Sequence, residues 1–199
     1  MTGAFLNDRE LREAALAGLP FVDPFDAEAI KAASIDLRVG SERYEYSFDE
    51  YTLGEEIRPE DVTSTSYDEV WIEPGQSVYI GLLEEIKIPL DALGFVFPRS
   101  TLTRLGISIF PVYMNPGYAG RMPVTIANHG HARIRIVPGA RIAQLLCAKL
   151  SGPVLTGYGD QTAAKYHQEL VSAAKHDDDD FSAALQRVLQ ARMPQLVKP

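Results

Sequence analysis

Residues 74–149 place the strictest limit on what this chain can fold into. They form a train of short apolar stretches broken by Pro and Gly about every 8–12 residues, with no helix-length apolar repeat between them. Val78, Ile80 and Leu82 alternate after Pro74-Gly75. Ile86-Lys87-Ile88 ends at Pro89, and Gly94-Phe95-Val96-Phe97 ends at Pro98. Ile107 to Ile109, Met122 to Ala127, Arg133 to Val137 and Ile142 to Lys149 continue the series. Asn115-Pro116-Gly117 and Pro138-Gly139 are its clearest turns. This spacing predicts a mainly β protein, a barrel or sandwich. The lack of crossover helices argues against a parallel βαβ sheet.

The flanks follow other patterns. Asn7 is placed to cap a helix, with Glu10 three residues on to close a capping box. Leu11, Ala15 and Leu16 give that helix a narrow apolar stripe, and Gly18 and Pro20 stop it. Asp23-Pro24-Phe25-Asp26 reads as a turn. Ser34 to Val39 alternates as a strand ended by Gly40, and residues 41–69, acidic and Tyr-rich, read as an irregular surface excursion. Pro123 suggests that its strand is an edge or carries a bulge. The acidic run Asp177 to Asp180 reads as a solvated linker. Phe181, Leu185, Val188, Leu189, Met193 and Leu196 then repeat at helical spacing. The expected organisation is one domain over residues 1–172, followed by a linker and amphipathic helix over 173–199.

Composition removes several function classes. Cys147 is the single cysteine, so there is no internal disulfide and no cysteine-built zinc site. A formal charge of −8 argues against broad binding to nucleic acid or anionic membranes. No apolar run approaches the roughly 18 residues of a membrane span. The first residues lack the basic flank and apolar stretch of a signal peptide, so a cytoplasmic location is expected. No Gly-rich loop ending in Gly-Lys-Ser/Thr, no G-x-G-x-x-G and no H-E-x-x-H is present. His129 and His131 flank Gly130. Two ligands make a poor metal site, and the pair reads as a solvated hairpin turn.

Two stretches concentrate chemistry. In Phe97 to Gly106 a strand ends at Pro98 and a short helical turn follows. Arg99, Ser100 and Thr101 together offer a guanidinium, two hydroxyls and unpaired N–H groups, a set that suits phosphate oxygens. Arg104, four residues after Ser100, shares its face. A capped helix with two surface arginines would look the same. In Met114 to Gly120, Tyr118 sits between two glycines. It could lie against a flat ligand or a sugar, or simply cover the core edge.

Read together, the motifs resemble the dCTP deaminase family of the trimeric dUTPase-like superfamily, in order over about residues 5–168. They are Leu6-Asn7-Asp8-Arg9-Glu10-Leu11, Asp23-Pro24-Phe25, Ala33-Ser34-Ile35-Asp36-Leu37-Arg38, Arg99 to Gly106, Asn115 to Gly120, Pro138-Gly139-Ala140-Arg141-Ile142-Ala143-Gln144-Leu145, Tyr158 and Lys165-Tyr166. The resemblance implies a distorted β-barrel or jelly roll with an N-terminal helix and a helical C-terminal extension. It implies a homotrimer with sites between subunits, and a pyrimidine deoxynucleoside triphosphate bound with Mg²⁺ on its phosphates and no metal ligand from protein side chains. Arg99, Ser100, Thr101, Gln144, Tyr158 and Lys165 match phosphate contacts. Asn115 and Tyr118 match the sugar and base pocket, with Tyr118 packed on the deoxyribose. Ser100 and Arg104 match the serine and arginine that position water and substrate for zinc-free deamination.

Two departures stand out. The family's general-base glutamate, fifth after the loop's second glycine, is Thr125 here, and a hydroxyl cannot replace a carboxylate as a base near neutral pH. Asn115 stands where the family usually has an aspartate, which dUTPases use to activate water; Asn is neutral. The motif around His167-Gln168-Glu169 is off by one residue, so Gln168 is not carried over. Three functions remain open. They are deamination of dCTP or a close relative, phosphohydrolysis using Glu84, Glu85 or the Asp160 region, and nucleotide binding without turnover.

Overall fold

The computed structural model describes residues 4–19, 21–161, 164, 166 and 180–192. Helix α1 (Asp8–Leu16) begins where the sequence caps it. Asn7 Oδ1 accepts from the Glu10 N–H at 3.1 Å, and the Glu10 carboxylate accepts from the Asn7 N–H at 3.0 Å. Only Leu11 of the expected stripe is buried; Leu16 is 89% exposed. Strands β1 (Val22–Asp23), β2 (Ile30–Lys31), β3 (Ser34–Tyr46), β4 (Val62–Ser66), β5 (Val70–Ile72), β6 (Ser77–Leu82), β7 (Glu85–Lys87) and β8 (Ala92–Pro98) follow. The short helix α2 (Ser100–Arg104) comes next. Then come β9 (Ile107–Ile109), β10 (Val112–Met114), β11 (Ala119–Gly120), β12 (Pro123–Asn128), β13 (Ile134–Ile136), β14 (Arg141–Lys149) and helix α3 (Asp180–Arg192).

The described residues are mainly β, and neighbouring strands run antiparallel along each of the three sheets below. The largest sheet runs β10-β8-β14-β3-β6-β12-β9, with β2 and β4 also on β3. A three-stranded sheet runs β1-β7-β11, and β13 pairs with β5. Leu37, Val39, Ile80, Leu82, Ile86, Val96, Ile126, Ala143 and Leu145 are fully buried between the sheets. Cys147 lies among them, and burial pushes its thiol up to about 12.

The chain divides into two compact units, one from residues 1–44 with 64–172 and one from residues 45–63 with 173–199. The second holds the aromatic ladder Tyr46, Phe48 and Tyr51, with ring centroids 5.0 and 5.1 Å apart, and a 3₁₀ turn at Pro59–Asp61. It also holds α3, which forms where helical spacing predicts a helix. Met193, Leu196 and most of the acidic run lie outside the described residues.

Two expectations change, and two strands go unforeseen. The excursion over 41–69 is partly ordered, because β3 continues to Tyr46 and β4 returns to pair with it. Charged and polar residues alternate there, and the apolar pattern alone hides a strand of that kind. Strand β12 is not an edge; β6 and β9 flank it. Pro123 opens the strand opposite Gly81, a first position where a missing N–H is tolerated. Finally, β5 and β10 are strands of three residues that no alternation marks.

Candidate functional site

The antiparallel order β8-β14-β3 brings one residue from each strand to a common place. Gln144 on β14 stands opposite Asp36 on β3 and Phe97 on β8. Arg99 leaves the end of β8, its N–H donating to the Ile142 carbonyl at 3.0 Å. Gln144 and Arg99 converge on the Asp36 carboxylate, whose side chain is wholly buried. Gln144 Nε2 donates to Asp36 Oδ1 at 3.3 Å and to Ser34 Oγ at 3.2 Å. Arg99 Nε lies 3.5 Å from Asp36 Oδ1. Arg141 Nη1 and Lys31 Nζ lie 3.8 and 3.9 Å from Oδ2. Arg141 also donates to Asp26 Oδ2 at 3.2 Å.

Three cations meet two carboxylates, so the cluster carries one excess positive charge. Each cation keeps part of its side chain in solvent, whereas Asp36 keeps none. The buried anion thus holds the cations in place while their outer faces stay open to an anionic ligand. Helix α2 starts directly beside them. Ser100, Thr101 and Arg104 are exposed, and no hydrogen bond among the described residues uses the Ser100 or Thr101 hydroxyl. Sequence reasoning selects Arg99, Ser100, Thr101 and Gln144 but misses Lys31, Arg141 and the anchor Asp36. The signal for Asp36 was a charged residue in Ser34 to Leu37, a stretch whose four residues are all buried.

A second group lies elsewhere. The Asn115 carbonyl accepts from the Tyr118 N–H at 3.1 Å, and Gly117 takes φ +80°. A side chain at Gly117 would meet Gly157 Cα and Tyr158 N at 2.9 Å, so the loop and the turn at Tyr158–Asp160 approach as only glycine permits. Tyr118 is 9% exposed, its ring 6.0 Å from that of Tyr158, and burial pushes its phenol up to about 12. Tyr158 Oη accepts from the Tyr166 N–H at 3.1 Å. Lys165 and Gln168 lie outside the described residues.

The two groups sit at opposite ends of β8. Met114, which precedes Asn115, pairs with Gly94, and Arg99 is five residues beyond Gly94. At about 3.4 Å per residue that is about 17 Å of strand. Thr125 belongs to neither group. It is half-buried in β12 opposite Tyr79, on the face away from the core residues Val124 and Ile126. Of the three carboxylates considered as replacements for the water-activating aspartate, Glu84 is 2% exposed and locked by Arg38, with Nε at 2.6 Å and the backbone N–H at 2.8 Å. Glu85 pairs with Lys87 at 3.3 Å. Asp160 is exposed on the turn packed against the Asn115–Gly120 loop.

A family model described as dCTP deaminase-like matches residues 5–150. The chain belongs to the dCTP deaminase-like family. A dUMP-forming dCTP deaminase of Dictyoglomus thermophilum is 28% identical over 186 residues, covering 88% of this chain and 96% of that relative. A dCTP deaminase of Halorubrum lacusprofundi is 30% identical over 176 residues, covering 82% of this chain and 86% of that relative. The crystal structure of a 2'-deoxycytidine 5'-triphosphate deaminase from Agrobacterium tumefaciens superposes with a TM-score of 0.60 at 21% identity, over 75% of this chain. This chain spans about half the length of that structure, 49%. Among the described residues no helix is long and apolar enough to cross a membrane.

Proposed function

We propose that this member of the dCTP deaminase-like family binds dCTP, or a close pyrimidine relative, and hydrolyses its amino group to give dUTP and ammonia. The observation that carries the reading is the set of cations fanned around buried Asp36 beside an uncapped hydroxyl turn. Arg99, Arg141 and Gln144 bind phosphate oxygens there, with Ser100 and Thr101 adding hydroxyl contacts. Arg104 and Ser100 orient the base end of a neighbouring copy's site, in a cytoplasmic homotrimer. The placement of Arg99 and of Asn115 and Tyr118 toward opposite ends of β8 supports sites completed by a second copy.

Magnesium fits this site only as a passenger on the nucleotide. Among the described residues no group of three or more His, Cys, Asp and Glu side chains comes together. Asp36 Oδ2 has no hydrogen-bond partner, but it faces two cations, a setting that favours phosphate over a divalent ion. When bound, Mg²⁺ neutralises triphosphate charge. The chain's own residues orient the tail and close it from water.

The engagement of Glu84 and Glu85 in ion pairs, together with Asn115, favours deamination over phosphohydrolysis. Incubation of the full chain with dCTP and Mg²⁺ is expected to release ammonia and no pyrophosphate, with a trimer by light scattering. Pyrophosphate without ammonia would establish the hydrolase reading with Asp160 as its candidate base. Tight binding with neither product would establish a non-catalytic nucleotide binder.

A further inference from the structure

Hydrolytic deamination needs a base for the attacking water, and position 125 supplies only a hydroxyl. Another proton acceptor stands on the same sheet face. Ser108 is the middle residue of β9, between buried Ile107 and Ile109, and stands opposite Ala127 of β12. Thr125 and Ala127 project from the face opposite buried Val124, Ile126 and Asn128, so Ser108 and Thr125 share that face as diagonal neighbours. Diagonal pairs lie about 7–8 Å apart, a span one water molecule and a ring edge can bridge.

His129 follows β12 directly, and its Nε2 lies 3.0 Å from Ser108 Oγ. The turn that carries it is held firmly. Asn128, fully buried, donates from Nδ2 to the Ile72 carbonyl at 2.8 Å and the Ala132 carbonyl at 2.9 Å, and its Oδ1 accepts from the Gly130 N–H at 2.9 Å. The His129 N–H donates to the Gly106 carbonyl at 2.8 Å. Gly106 takes φ +78°, and a side chain there would meet Gly130 N at 2.8 Å. This close approach ties the histidine turn to the segment leaving α2. Ser108 is half-buried and His129 exposed, so water reaches the pair.

We propose that Ser108 and His129 form the proton relay of this chain, with His129 as the base in place of a carboxylate at position 125. With Nδ1 protonated, Nε2 accepts from the Ser108 hydroxyl. Water adds to ring C4 as its proton replaces that of Ser108, which passes to Nε2. The C4–N3 electron pair is left on N3, and N3 takes the proton back from the imidazolium. The remaining proton of the added hydroxyl then travels the same route to the amino nitrogen. The oxygen pair freed by that proton forms the C4=O double bond as the C4–amino bond breaks, and its electron pair leaves with ammonia. Thr125 orients the water. This inference rests on the deaminase reading above.

Four measurements on the full chain test it: ammonia release by the wild type, by His129→Gly and by Ser108→Ala, and calorimetric binding of a non-hydrolysable dCTP analogue. The relay predicts that kcat falls about 100-fold or more in both variants. It also predicts that analogue affinity stays within a factor of three or so, and that added imidazole restores His129→Gly. A wild-type rate in either variant, or a lost rate that imidazole leaves unrestored, would overturn the relay while the deaminase reading stands. A wild type that binds the analogue and yields no ammonia from dCTP would overturn both.

Discussion

Replacing Asp36 by Ala is expected to cost about 3–5 kcal/mol of stability, the usual penalty for removing one partner from a buried ionic cluster. Among the described residues Asp36 is the only carboxylate that pairs with Arg99 or Lys31, and it shares Arg141 with Asp26. Without it, three cations and the Gln144 amide face a cavity with a single carboxylate left at its margin. At about 2–4 °C per kcal/mol for a chain of this size, the melting temperature falls by about 6–20 °C. Two controls separate charge from packing. Asp36→Asn keeps the volume and removes the charge, so it is expected to lose most of the same stability. Pairing Asp36→Ala with Arg99→Ala is expected to cost less than the sum of the two, because the second change removes a cation that the first left uncompensated. Strict additivity in denaturant unfolding would show that Asp36 does not anchor Arg99.

Arg99→Ala acts on the other side of the same cluster. Its side chain is about one-third exposed, so the fold loses little, and Asp36 keeps Arg141, Lys31 and Gln144. A charged hydrogen-bonding contact to phosphate contributes about 1.5–3 kcal/mol. Calorimetric affinity for Mg·dCTP is therefore expected to fall by about 10- to 150-fold. Affinity for deoxycytidine, which has no phosphate, is expected to stay unchanged. Equal losses for nucleoside and triphosphate would place Arg99 on the base or sugar instead.

Much of this architecture was legible because its signals are local. Asn7 and Glu10 announce α1 three residues apart, and Pro and Gly mark the ends of β7, β8 and β14. Arg99 and Gln144, the residues proposed to hold phosphate, were legible as pieces of motifs, and strand order brings them together across 45 residues of sequence. What escaped is what only tertiary contact defines. Asp36 looks like an ordinary polar residue of an alternating strand, and its burial appears only once β14 and β2 flank β3. Lys31 and Arg141 reach it from segments 110 residues apart. The pairing of Ser108 with His129 follows from the register of β9 on β12, which no periodicity encodes. Leu16 fails in the opposite way. It fits the helical stripe, yet nothing in the described fold covers it.

The most direct measurement is a crystal structure of the full chain with a non-hydrolysable dCTP analogue and Mg²⁺. The triphosphate is expected against Arg99, Arg141 and Gln144 at the start of α2, with its sugar against Tyr118 of another copy. A triphosphate seated away from Asp36 and its cations, or a nucleotide wholly enclosed by a single copy, would contradict that placement.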